Sequence, residues 1–127
     1  MLRIGTTVLG VDDFGRAFDF WTHALDYVPR DPVRPGDDFA VLLPRTGDGA
    51  HLALDLSRTP VQEHPRVHLD LYADGPGAQA AEVDRLMALG AIRVDWDLYP
   101  DDPDFVVLAD TEGNRFCIVD TTHDPGS

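Results

Sequence analysis

The chain has 127 residues, of which 43% are hydrophobic and 26% charged, enough for one complete core and too few for two ordinary domains. A formal net charge of −13, with Arg as the only strong base, repels phosphate backbones and anionic membranes, so neither nucleic acid nor membrane is expected as a partner. A single cysteine excludes an internal disulfide framework. With no basic-then-apolar leader and no apolar run long enough to span a bilayer, the expected compartment is the cytoplasm.

Leu2 to Val11 alternates at period two and predicts a strand. Asp12-Asp13 offers a helix N-cap, and Phe14, Ala17, Phe18, Trp21 and Leu25 behind it form one apolar stripe at helical spacing. Trp21 and Phe18 are expected in the core. Pro29, Pro32, Pro35 and Gly36 end any helix. Phe39 to Leu43 and His51 to Leu56 predict two strands joined through the turn Gly47-Asp48-Gly49. Ser57 to Pro65, rich in proline and mixed charge, is the expected linker.

The pattern then restarts. Arg66 to Ala73 predicts a strand, and Asp74 to Gly77 a helix start with Pro76 at an allowed early position. Ala80, Val83, Leu86, Met87 and Leu89 supply the helical stripe, closed by Gly90. Ala91 to Trp96 predicts a strand, Tyr99 to Asp104 an acidic loop, and Phe105 to Ala109 with Arg115 to Asp120 two strands across the turn 111–114. The tail, 121–127, is expected to fray.

Superposing Asp12 on Asp74 puts Thr6 on His68 and Leu9 on Leu71, and superposing Asp48-Gly49 on Glu112-Gly113 puts Leu52 on Phe116 and Ala53 on Cys117. Core-facing positions agree in apolar character in both comparisons. The economical fold is α+β: two βαβββ modules, about 1–56 and 66–120, making a curved eight-stranded mixed sheet around a cleft with the helices outside. Alternation assigns Thr6, Val8, Gly10, His51, Ala53, Asp55, His68, Asp70, Tyr72, Arg115, Cys117 and Val119 to the cleft face, a mixed polar and apolar lining suited to a small molecule.

The segments "TTVLGVDDFGRAFDFWTHALDY", "RVHLDLYAD", "RLMALGAIRV" and "FVVLADTEGNRFCIVD", in this order from Leu2 to Asp120, resemble the glyoxalase-like proteins of the vicinal oxygen chelate superfamily. That superfamily also holds bleomycin-resistance proteins and extradiol dioxygenases. The resemblance implies paired modules, homodimers among metal-using members, and a divalent ion in the cleft. The ligands it implies are His or Gln on the first strand, His on the fifth, and Glu on the strands closing the modules. Carried over, those positions are Thr6, His68, Ala53 and Cys117, and only His68 keeps its ligand type.

The residues themselves argue the same way. Ala53 has no donor and Thr6 only a neutral hydroxyl, so no cofactor is expected; a divalent metal held by His68 with Asp70 or Asp55 substituting is the alternative. His68 reads as a polar contact or general base in the cleft, hydrogen-bonded to Asp70 or Tyr72. Cys117 reads as a small buried filler, its reactive alternative requiring a cation such as Arg115. Trp96 and Tyr99 are read either as a stacking rim for a planar or cationic ligand or as anchors of their loop. His64 falls in the linker, and His23 and His123 are expected on the surface. The function expected is a glyoxalase-like protein binding or converting a small organic ligand, neutral or cationic. Metal-dependent lyase, isomerase or dioxygenase chemistry is the alternative.

Overall fold

The computed structural model describes residues 1–124 and divides at Pro60–Val61, inside the expected linker. The first unit runs β1 (Thr6–Val11), α1 (Phe14–Leu25), β2 (Tyr27–Pro29), β3 (Phe39–Pro44) and β4 (His51–Leu56). The second repeats it as β5 (Leu69–Ala73), α2 (Pro76–Ala88), β6 (Ile92–Arg93), β7 (Phe105–Ala109) and β8 (Arg115–Asp120). Each unit is a four-stranded mixed sheet, ordered β1-β4-β3-β2 and β5-β8-β7-β6. In both, the first strand pairs parallel with the last and the remaining pairs are antiparallel. Two βαβββ modules are therefore present.

In the first unit α1 packs on β2, β3 and β4. Its N-cap is Asp13, whose carboxylate accepts from the Arg16 N–H at 3.1 Å. The chain leaves α1 through Asp26 in the left-handed region, φ 53°, with its N–H on the Thr22 carbonyl. The buried stripe is Ala17, Phe20, Trp21 and Ala24, so Phe20 takes the core place expected of Phe18, which is half-buried and pairs with Phe14 at 6.0 Å. Steps of three, four and seven from Ala17 reach Phe20, Trp21 and Ala24 and pass over Phe18. The strand residues on that face, Leu42, Leu52, Leu54 and Val11, are at most 3% exposed. Removing this much apolar surface from water is the main stabilising term of the unit.

In the second unit α2 packs on β5 and β8. Pro76 opens the helix after Gly75, and no side chain caps it; Leu89 closes it, with Gly90 beyond at φ 120°. Val83 and Leu86 are its buried residues, whereas Met87 is exposed and Ala80 lies on the open side, so the stripe is narrower than the spacing predicts. Phe116, Ile118 and Leu108 complete the core. On the opposite face, alternation leaves His68, Asp70 and Tyr72 beside Arg115, Cys117 and Val119, with Phe105 and Val107 next in the ladder.

Several expected boundaries move. β1 begins at Thr6, because its partner strand begins at the paired His51; Leu2 and Ile4 have no ladder to join and are 98% and 94% exposed. β5 likewise begins at Leu69, opposite Phe116. The predicted strand 91–96 contracts to Ile92–Arg93. β2 is a strand not anticipated, formed where proline suggested only a break. Residues 121–124 do not fray: the Thr121 hydroxyl donates to Asp74 at 2.7 Å and His123, half-buried, reaches Asp102 at 3.1 Å. The rest of the expected frayed tail, 125–127, lies outside the described residues.

Candidate functional site

The chemistry-bearing side chains of the second unit surround a cavity of about 300 Å³. Its floor is the open sheet face: Asp70 on β5, Arg115, Cys117 and Val119 on β8, Phe105 and Val107 on β7. His68, one residue ahead of β5, extends the same alternation and lines it too. Trp96, Leu98 and Asp104 form the wall from the loop between β6 and β7, and Pro65 closes the other side. The volume is at the lower end of small-molecule sites, and the mix of aromatic walls with few polar groups is typical of them.

Asp70 is the register partner of Cys117, and its Oδ1 lies 3.1 Å from Nε2 of His68. One donor atom from each of His68, Asp70 and Cys117 falls within 4.8 Å of the other two. His68 and Asp70 are 43% and 47% exposed at the side chain, while Cys117 is 7% exposed. Burial, reinforced by the carboxylates of Asp70 and Asp104, pushes the Cys117 thiol up to about 12. The cation needed for a reactive thiolate is otherwise engaged, since Arg115 donates through Nη1 to the Gly113 carbonyl at 2.7 Å. Its Nε is buried with no hydrogen-bond partner among the described residues.

The acidic loop is held in place from two sides. The Tyr99 hydroxyl accepts from the Val107 N–H at 2.7 Å, and the Tyr99 ring lies 5.3 Å from that of Phe105. Tyr99 is thus an anchor of its loop. Trp96 is the aromatic wall, with the His64 ring 5.0 Å away and His64 Nε2 on Asp97 Oδ1 at 2.7 Å. That hydrogen bond holds the Asp97 carboxyl below the usual carboxylate range. His64, placed in the linker by the sequence, joins the second unit's rim.

Of the residues the sequence singles out, the fold gathers His68, Asp70, Trp96, Arg115 and Cys117 around this cavity. Tyr72 pairs with Val119 on the same face but is 76% exposed and outside the lining. Thr6, His51 and Asp55 belong to the first unit, where Thr6 and His51 are register partners. Ala53, also there, is fully buried and has no donor to offer. The sequence reading missed Asp104, Leu98, Phe105 and Val107 as lining residues. Phe105 and Val107 were recoverable, since the hairpin with β8 puts them at the parity of Val119 and Cys117.

The glyoxalase-like domain family matches residues 6–119, and the chain belongs to that family, within the vicinal oxygen chelate superfamily. No curated protein matches it. Among solved structures it is similar to a glyoxalase-related enzyme from Fulvimarina pelagi, at 16% identity and TM-score 0.71 over 95% of this chain and 89% of that one. It is also similar to a glyoxalase/bleomycin resistance protein/dioxygenase family enzyme from Burkholderia phytofirmans, at 16% identity and TM-score 0.68 over 91% and 96% of the two chains. The genomically encoded fosfomycin resistance protein of Listeria monocytogenes matches at 15% identity and TM-score 0.71 over 96% and 93%. At these identities the likeness is one of fold.

Proposed function

We propose that this chain binds a small organic ligand, neutral or cationic with an apolar body, in the cavity of its second module. The observation that carries the reading is the cavity itself, whose floor bears Asp70 beside Phe105 and Val107 and whose wall carries Trp96 and Asp104. An apolar body gains by leaving water there, and a cationic group meets both carboxylates and the face of an aromatic ring. The net charge of −13 draws cations and repels anions at long range. Sequestration of the ligand, cytoplasmic residence and homodimer assembly belong to the same reading.

The test is calorimetric titration with a panel of aromatic and aliphatic amines, their neutral analogues and matched carboxylates. One molecule per chain is expected to bind, cations and neutral compounds ahead of anions, with Trp96→Ala weakening binding about tenfold. That loss is in keeping with roughly 1–2 kcal/mol for a desolvated cation–π contact. A preference for the carboxylates, or affinity indifferent to Trp96→Ala, overturns it. A second reading is conversion of the ligand by lyase, isomerase or dioxygenase chemistry with His68 as the reacting base. The 3.1 Å contact with Asp70 favours it, because a carboxylate that fixes the ring's orientation prepares an imidazole for proton transfer.

A further inference from the structure

We infer that the ligand of this cavity has two polar ends, an amine held by Asp70 and Asp104 and a neutral carbonyl oxygen taken by Arg115, with its apolar body between them. The inference rests on the ligand-binding reading above and adds to it a second polar group and the spacing of the two.

Arg115 borders the cavity half-buried, yet the protein satisfies little of its guanidinium. Nη1 donates to the Gly113 carbonyl at 2.7 Å, and no carboxylate pairs with the side chain among the described residues. Nε is buried and has no hydrogen-bond partner there. A donor on a charged group that finds no acceptor is destabilising, and burial shuts Nε off from the water that could supply one. The Gly113 bond occupies Nη1, so the edge formed by Nε and Nη2 has no protein acceptor. Such an edge takes an oxygen through two parallel N–H groups.

The sheet sets the distance between the two ends. Asp70 faces Cys117 across the β5–β8 ladder, and Arg115 stands two residues earlier on β8 and on the same face, about 7 Å along the strand. Asp104 lies further in the same direction, one residue before Phe105, which faces Val119. The Gly113 bond draws the guanidinium towards the turn and so away from both carboxylates. Between the ends lie Val107 and Cys117, register partners that present a side chain without charge, since the thiol is protonated. Charge then sorts the ligand. A second amine is repelled at the Arg115 end, and a carboxylate meets the long-range repulsion of a net charge of −13. A neutral carbonyl oxygen accepts from the guanidinium and meets neither penalty.

The experiment is calorimetric titration of the protein with three amines. They are para-(aminomethyl)benzamide, its apolar isostere para-isopropylbenzylamine, and ortho-(aminomethyl)benzamide, in which amine and oxygen are adjacent. The para amide is expected to bind about tenfold more tightly than the isostere, as a hydrogen bond to a charged group allows, and the ortho amide to show no such gain. Arg115→Met keeps the length of the side chain and removes its donors. In that variant the ratio of the para-amide and isostere affinities falls to about one, whatever the substitution does to either affinity alone, with circular dichroism verifying the fold. The comparison within the parent protein keeps the test valid if Arg115→Met does not fold. Equal affinity of the parent for the para amide and its isostere, an equal gain for the ortho amide, or a tenfold ratio that survives Arg115→Met overturns the inference and leaves the ligand-binding reading standing. Failure of all three amines to bind overturns both.

Discussion

Asp70 and Cys117 sit opposite each other in the β5–β8 ladder, and burial, reinforced by the carboxylate of the first, keeps the thiol of the second protonated. Two effects act together: burial disfavours the thiolate, and the negative charges of Asp70 and Asp104 disfavour it further. With the thiol pushed up to about 12, almost no thiolate is present at pH 8. Alkylation of Cys117 by iodoacetamide at pH 8 is therefore expected to run at least about a hundredfold slower than that of free cysteine. Its rate should still be climbing above pH 10, where an ordinary thiol has levelled off. Asp70→Asn removes a named cause of the shift and should speed the reaction, as mass-spectrometric labelling kinetics would show.

The Tyr99 hydroxyl accepts the Val107 N–H at the point where β6 has already ended. In Tyr99→Phe the ring contact with Phe105 survives and the amide loses its acceptor. An unsatisfied backbone donor costs about 1–3 kcal/mol, which for a domain of this size lowers the melting temperature by several degrees. Thermal unfolding followed by circular dichroism measures it, and the pocket wall carried by Trp96 and Leu98 should loosen at the same time. A melting temperature equal to that of the parent would mean that water replaces the phenol at no cost.

How far the sequence reveals these arrangements depends on whether the controlling interaction is local. The bounds of β4, β7 and β8 follow from apolar runs closed by Gly- and Asp-rich turns, and the structure keeps them as His51–Leu56, Phe105–Ala109 and Arg115–Asp120. Alternation alone carries β1 back to Leu2, because its true start is set by where β4 begins, a fact held 45 residues further along in the His51–Thr6 pair. β2 contains Pro29 and exists because Tyr27, Val28 and Pro29 pair with Pro44, Leu43 and Leu42, while the Tyr27 hydroxyl reaches the Ala50 carbonyl at 2.6 Å. The site divides the same way. That His68 and Asp70 share a face follows from the period of two. That Cys117 stands beside Asp70 requires the register of two strands joined by a helix and two other strands, which alternation alone does not give.

Asp110 organises the turn that carries Arg115 into the site. It is 3% exposed, and its Oδ1 accepts from the N–H groups of both Glu112 and Asn114, each at 2.9 Å. Gly113 follows at φ 91°, where a Cβ would be strained and would meet Val61 at 3.3 Å. Asp110→Ala deletes the charged acceptor of two half-buried donors and should cost about 2–4 kcal/mol. Gly113→Ala should cost about 1–2 kcal/mol from backbone strain alone. Urea unfolding of the two variants gives both numbers, and a smaller loss for Asp110→Ala than for Gly113→Ala would show that Asp110 does not hold the turn.

Asp120 ends β8 at 5% exposure, its Oδ1 taking the Thr122 hydroxyl at 2.7 Å and the Thr122 N–H at 2.9 Å. Hydrogen bonding to the Thr122 hydroxyl first, then to backbone N–H groups, holds the carboxyl below its ordinary range against the opposing effect of burial. A carboxyl depressed in the folded state contributes stability that is present above its unfolded value, near 4, and lost as pH falls through the folded value. Thr122→Val keeps the N–H contact and removes the hydroxyl, so it should lower stability at neutral pH. It should also bring the folded carboxyl closer to its unfolded value. The penalty should then shrink towards the most acidic pH, where Asp120 is protonated in both proteins and the charged hydrogen bond no longer contributes in either. Urea midpoints of parent and variant from pH 7 to pH 2 test this directly. A difference that stays constant over that range would mean that Thr122 acts through packing and not through the Asp120 charge.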